Sequence, residues 1–339
     1  MPARPRLGRN PELTRTDRLV GSVLAVAGAV PALALGFIAY EMLREAYPAI
    51  VFNGGHFFTG RVFSYGNLYS SGVEVRDGYR AAQGAHFAIL PMIFGTFASS
   101  LIALVLAVPV AVGGAILLVE KIPSRLQGPL GTLLELLAAI PSVVFGLWGV
   151  YTFGPLLSRT VFKWIAALRI PWLDSHVGHG EGLLTASLVL AVMIVPIVAS
   201  IARELVRAVP AISKEGAAGL GLTAAETVRV VTLPFVRTGV VAAAILGWGR
   251  ALGETIAVLL ISGATLNSYP HSIFDTFTTM AATIAAILDG ALTDATRMGV
   301  HALAETGLVL LAISILTNFA GRMVARRLSD AALPVGRGV

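Results

Sequence analysis

Six stretches of this chain run for about 20 residues or more with almost no charge, the length a helix needs to cross a hydrocarbon core. Only a helix or a closed barrel satisfies its backbone groups there, so the stretches predict membrane-spanning helices. They are Leu19–Tyr40, Phe87–Val119, Gly131–Leu157, Leu183–Ala202, Thr238–Ile261 and Met298–Gly321. The second enters the membrane near Pro91. Charged residues make up 13% of the chain and mean hydropathy is +0.80, against roughly 25% charged for soluble domains. The fold class expected is an all-α integral membrane protein with six transmembrane helices. No internal repeat is visible.

Lys and Arg near the span ends set orientation, because cytoplasmic segments retain positive charge. With the first tail inside, the inside segments hold sixteen basic residues and the outside ones eight. Both termini are therefore expected in the cytoplasm. The division is a basic tail over 1–18, a first span over 19–40, an extracytoplasmic loop over 41–88, a core of five spans over 89–322 and a tail over 323–339. A signal peptide has an apolar region of about 7–15 residues; the first span is longer and is expected to stay as an anchor. The outside loop is too short for an enzyme domain. The basic residues are scattered rather than interleaved with aromatics, which excludes a nucleic-acid face. Without Cys there are neither disulfides nor thiolate metal sites.

The inside loop 206–236, between the fourth and fifth spans, reads as two short helices parted at Gly221. Pro210 suits a first helical position and Gly221 the left-handed conformation that ends a helix. Thr223 and Glu226 have capping-box spacing, and Pro234 marks the turn into the fifth span. Such a hairpin either docks a cytosolic partner or lies on lipid headgroups. Glu215-Gly-Ala217, Gly221 and the Leu233-Pro234 ending resemble the EAA motif of ABC-importer permeases, with Gly216 departing from the usual Ala. The resemblance implies a type I ABC importer permease (MetI-like) fold. It also implies a coupling helix, carried by Glu215, Ala217, Gly221, Leu233 and Pro234, that seats in an ATPase subunit. No Lys here ends a Gly-rich P-loop, so ATP and Mg are expected on that partner, no cofactor on this chain, and no enzymatic activity.

Gly247-Trp-Gly-Arg250-Ala-Leu-Gly253-Glu254-Thr255 puts two opposite charges inside the fifth span. Arg250 lies 13 residues past Arg237, about 20 Å along a helix, too far to snorkel. Such a residue faces a partner or a wet cavity. Four-residue spacing permits a structural ion pair with Glu254; alternatively the guanidinium, whose planar fork matches phosphate geometry, meets a passing anion. Gly247, Gly249 and Gly253 leave room for an anion or a neighbouring helix.

This segment resembles the hallmark of the phosphate-specific permeases PstC and PstA. Glu135-Leu-Leu-Ala-Ala-Ile-Pro141-Ser142 through Gly149, and Thr278-Thr-Met280-Ala-Ala-Thr, favour the first. The resemblance implies transport roles for Arg250 and Glu254 and three partners: a homologous PstA-like permease, a PstB-like ATPase dimer and an extracytoplasmic PstS-like phosphate-binding protein. A permease for phosphonate, sulfate or molybdate, or a secondary anion transporter, are the alternatives. Ser142, beside a proline that interrupts the third span, and Thr255 complete the expected pathway.

Lesser candidates are weighed by position. Glu135 is read as a structural partner for an interfacial Arg, and Glu305 as a gate residue or a hydrated carboxylate. Asp174, His176, His179 and Glu181 are read as a polar loop rather than a metal site. A short outside or re-entrant helix is expected within His271–Leu288.

Overall fold

The computed structural model describes residues 11–68, 72–167, 170, 172–173 and 178–330. Among them, five helices are long and apolar enough to cross a membrane, and a bent pair supplies the sixth. The first helix, Pro11–Asn53, is much longer than the apolar run within it. Residues 19–38 of it are exposed, while Ala46, Ala49 and Phe52 near its end are buried. There it lies along the last helix, Met298–Asp330. Glu305 is buried at this seam and accepts from Asn53 Nδ2 at 2.9 Å.

The segment expected as a loop over 41–88 instead builds a packed cap. It contains the end of the first helix, a turn of helix at His56–Thr59 and a hairpin of Val73–Arg76 with Tyr79–Ala82, Arg76 opposite Tyr79. Asp77 and Gly78 take positive φ of 46° and 84°, the geometry of a two-residue hairpin turn. Phe52, Phe57, Phe63 and Phe87 cluster beneath with Met280, Met298 and Leu303. Tyr65 donates to the Ile287 carbonyl at 2.8 Å. Burial, reinforced by Asp294, pushes its phenol well above the usual range and keeps it neutral.

The second helix, Leu90–Glu120, joins the cap to the opposite end of the bundle. Ala103, Ala107, Ala111 and Ala115 recur every fourth residue along one face and are fully buried. Such small side chains let it pack closely on the fourth helix, Leu183–Arg207. That fourth helix is the most enclosed of the spans.

The third and fifth spans are not continuous. Ser124–Ala138 and Ser142–Arg159 meet at 86° across Ala139–Pro141. Proline removes a donor and biases Ile140 away from helix, so the interruption at Pro141 is a complete break. The fifth span runs from Ala224 to Leu252, halts at Gly253–Thr255 and resumes as Ile256–Ile261. Pro234 makes no turn: a widened π turn over Val228–Thr232 precedes it, so the chain passes through proline as helix. The short helix expected within His271–Leu288 begins later, at Met280–Leu292, with Thr279 Oγ1 accepting from Ala282 N at 3.2 Å. The extended residues before it lie against Gly95, where a Cβ would run into the Thr278 carbonyl.

Candidate functional site

The two breaks lie side by side. A Cβ on Gly146 would sit 3.0 Å from Ala257 Cα, and one on Gly149 would meet Ile261. Ser142–Trp148 and Ile256–Ile261 therefore run parallel in close contact, with Ser142 one turn before that contact and Gly253–Thr255 one turn before Ala257. Ser142, Glu254 and Thr255 are half-buried, and Arg250 is exposed. Val144, Leu147 and Ile256 on the same two half-helices are exposed as well.

Arg250 and Glu254 do not pair. The four-residue argument required one helix, and Gly253 ends it between them. Glu254 Oε1 instead accepts from Ala257 N at 3.4 Å, and Thr255 Oγ1 donates to the Gly253 carbonyl at 3.1 Å. Each charge sits at a favourable helix end: the cation in the last turn of Leu233–Leu252, the carboxylate before the first turn of Ile256–Ile261. Arg250 has no ion-pair partner among the described residues.

Two of the three glycines expected to leave space serve packing. A Cβ at Gly247 would meet Ile194 at 2.8 Å, and one at Gly249 would meet Asn318 at 3.2 Å. Beside Gly253 the space is open, with only the Arg250 carbonyl at 3.9 Å. Trp248 is fixed from behind, its Nε1 donating to Ser100 Oγ at 3.0 Å. The result is a guanidinium held by a braced helix end and presented on a face that the chain itself leaves uncovered.

The loop 206–236 forms the hairpin expected of it. Ala211–Gly219 follows Pro210, Gly221 takes φ +84°, and both bonds of the Thr223–Glu226 capping box are made. The bonds from Thr223 backbone and side chain hold the Glu226 carboxyl below its ordinary value. Glu215, Gly221, Leu233 and Pro234 are exposed; Ala217 is buried, its carbonyl accepting from Leu222 N at 3.1 Å across the turn.

Comparison with known proteins decides the family. Residues 107–330 match the family described as "Binding-protein-dependent transport system inner membrane component". The chain belongs to this family. Over 338 residues it is 48% identical to "Phosphate transport system permease protein PstC 1" of Mycobacterium tuberculosis, covering 98% of this chain and 100% of the relative. It is 40% identical to PstC of Pasteurella multocida over 255 residues, 74% of this chain and 78% of the relative. A bacterial alginate ABC transporter in complex with its alginate-pentasaccharide-bound periplasmic protein has the same fold, with TM-score 0.52 at 14% identity over 94% of this chain and 99% of that one. The inward-facing MetNI methionine ABC transporter gives TM-score 0.50 at 16% identity, over 71% of this chain and 95% of that one. The importer-permease fold and the multi-pass membrane location follow, as do a substrate-binding protein and a separate ATPase as working partners.

Within this importer permease, one inner contact escaped sequence reasoning and a second was expected without its Arg being identified. Glu120 Oε1 receives Lys214 Nζ at 2.8 Å and Thr232 Oγ1 at 3.1 Å. Its only sequence signal is a carboxylate closing a long apolar run. Arg203, expected merely as an inside charge, is buried across Gly131, where a Cβ would run into its guanidinium. It pairs with Glu135 at 3.1 Å, the structural role read for Glu135. Asp174 and His176 lie outside the described residues; no metal-binding group occurs among the described residues.

Proposed function

We propose that this permease forms one half of the passage of an ATP-driven importer for inorganic phosphate. The observation that carries the reading is Arg250: a guanidinium within a span, without a carboxylate partner among the described residues, on a face its own chain leaves open. A lone cation at such a position is costly unless it meets a partner or a wet cavity. The relatives named as phosphate permeases support phosphate as the anion. Arg250 stabilises the anion only transiently, because tight binding would prevent release. Ser142 and Thr255, half-buried at the paired breaks, would add hydroxyls to the same passage.

The other half of the passage comes from a homologous PstA-like subunit covering the open face. A PstS-like protein delivers phosphate at the capped end. A PstB-like ATPase dimer, holding ATP and Mg, docks on the hairpin through Glu215, Ala217, Gly221, Leu233 and Pro234. The distribution of basic residues supports an orientation with both termini in the cytoplasm.

The test is radiolabelled phosphate uptake into vesicles carrying the assembled complex, with and without binding protein and ATP. Uptake that needs both, and that excess sulfate, molybdate or phosphonate does not suppress, supports the reading. Suppression by one of those anions at equal concentration would reassign the substrate; uptake without ATP would make this a secondary transporter.

A further inference from the structure

Glu120 closes the second helix, and its carboxylate is largely enclosed, with 17% of the side chain exposed. One oxygen takes both the Lys214 ammonium and the hydroxyl of the fully buried Thr232. Lys214 is on the first helix of the hairpin, next to Glu215; Thr232 ends the π turn that leads from the second. Among the described residues no other ion pair ties residues 210–232 to a span. Apolar packing supports the same junction, where Val209 and Val236 bury against Ile116 and Val119 of the second helix.

The far side of the hairpin carries no such restraint. Ile212 and Leu220 are 78% and 83% exposed. Besides passing along the chain into the fifth span, a load applied to the hairpin therefore reaches the second helix at Glu120. From there the second helix runs without a break to Ser100, 20 residues away, or about 30 Å. Ser100 holds Trp248, two residues from Arg250, and one turn further Thr96 Oγ1 accepts from Met280 N at 3.1 Å. The same rod thus touches the hairpin, the backing of Arg250 and the start of the short helix under the cap.

We propose that the Lys214–Glu120–Thr232 junction is the joint through which motion of the hairpin is transmitted along the second helix to the Arg250 segment, with Glu120 as its positioning residue. This rests on the importer reading above. A contact network alone does not establish coupling, so the test measures coupling itself.

The assembled importer in proteoliposomes is assayed for ATP hydrolysis and for radiolabelled inorganic phosphate uptake. Glu120→Gln and Lys214→Met are expected to keep the ATPase bound and hydrolysing at close to the unaltered rate, while phosphate carried per ATP falls roughly tenfold. The exchange Glu120→Lys with Lys214→Glu rebuilds the ion pair and restores most of it, while retained ATPase binding and hydrolysis in the single variants separate lost coupling from a structural defect. Unchanged uptake per ATP in Glu120→Gln overturns the joint, as does loss of ATPase binding in both single variants without recovery in the exchange.

If the unaltered complex hydrolyses ATP but carries no phosphate, the substrate reading fails and the joint is judged separately. The chain has no Cys, so nitroxide labels can be placed at Ile212 and at Leu117, both exposed. Their separation should stay fixed between nucleotide-free and ATP-bound complexes, and change in Glu120→Gln. A separation that already changes in the unaltered protein overturns the joint.

Discussion

Arg250 and Glu254, four residues apart in sequence, sit on opposite sides of a helix break and share no ion pair. The guanidinium is consequently uncommitted, while the carboxylate is occupied by the amide of Ala257. Neutralising the carboxylate should therefore do less harm than neutralising the cation. Glu254→Gln retains an oxygen to accept from Ala257 and forfeits on the order of 1 kcal/mol, so phosphate uptake should fall less than about tenfold. A loss as complete as that in an Arg250 variant would mean that the carboxylate acts on the anion or on Arg250 directly.

Arg203 fits over Gly131 because that residue has no side chain. Gly131→Ala should displace the guanidinium from Glu135; because only the far end of a flexible side chain has to move and Glu135 is largely exposed, the assembled complex should lose no more than about 1 kcal/mol. In an Arg203→Met background the same change should cost measurably less, with a coupling of at least about 0.5 kcal/mol. Thermal unfolding of the four complexes gives the cycle; additive costs would contradict the contact.

The hairpin cap carries a pH signature. Glu226 is held below its unfolded value by Thr223. A depressed folded value adds stability above the unfolded value of about 4.3, and that stability is lost as pH falls through the folded value. Amide exchange over Ala224–Thr227, corrected for intrinsic rates, should quicken below about pH 4. In Thr223→Ala it should be fast at neutral pH and gain little further on acidification; identical profiles for the two proteins would refute the cap's role.

Features fixed by neighbouring residues were legible in the sequence. The crossings could be counted because twenty uncharged residues have few alternatives, and the hairpin because Gly221, Thr223 and Glu226 act within a few residues of one another. The break at Gly253 was not legible: the apolar run resumes beyond it, and the chain leaves the helix at Gly253–Thr255, just before Ile256–Ile261 packs on Ser142–Trp148. Pro141 gave a warning but not the 86° turn, which depends on what each half packs against. The cap was read as a loop although Asp77-Gly78 is a hairpin signal, because its phenylalanines find their partners, Met280 and Met298, some two hundred residues away. Glu120 and Lys214 are 94 residues apart, and only the fold brings them together.

The measurement that bears most directly on this account is phosphate uptake by the assembled complex carrying Arg250→Gln, alongside its ability to bind the ATPase and the partner permease. The account predicts intact assembly with uptake reduced to background. Normal uptake by that variant would contradict it, because the anion would then be crossing without the guanidinium of Arg250.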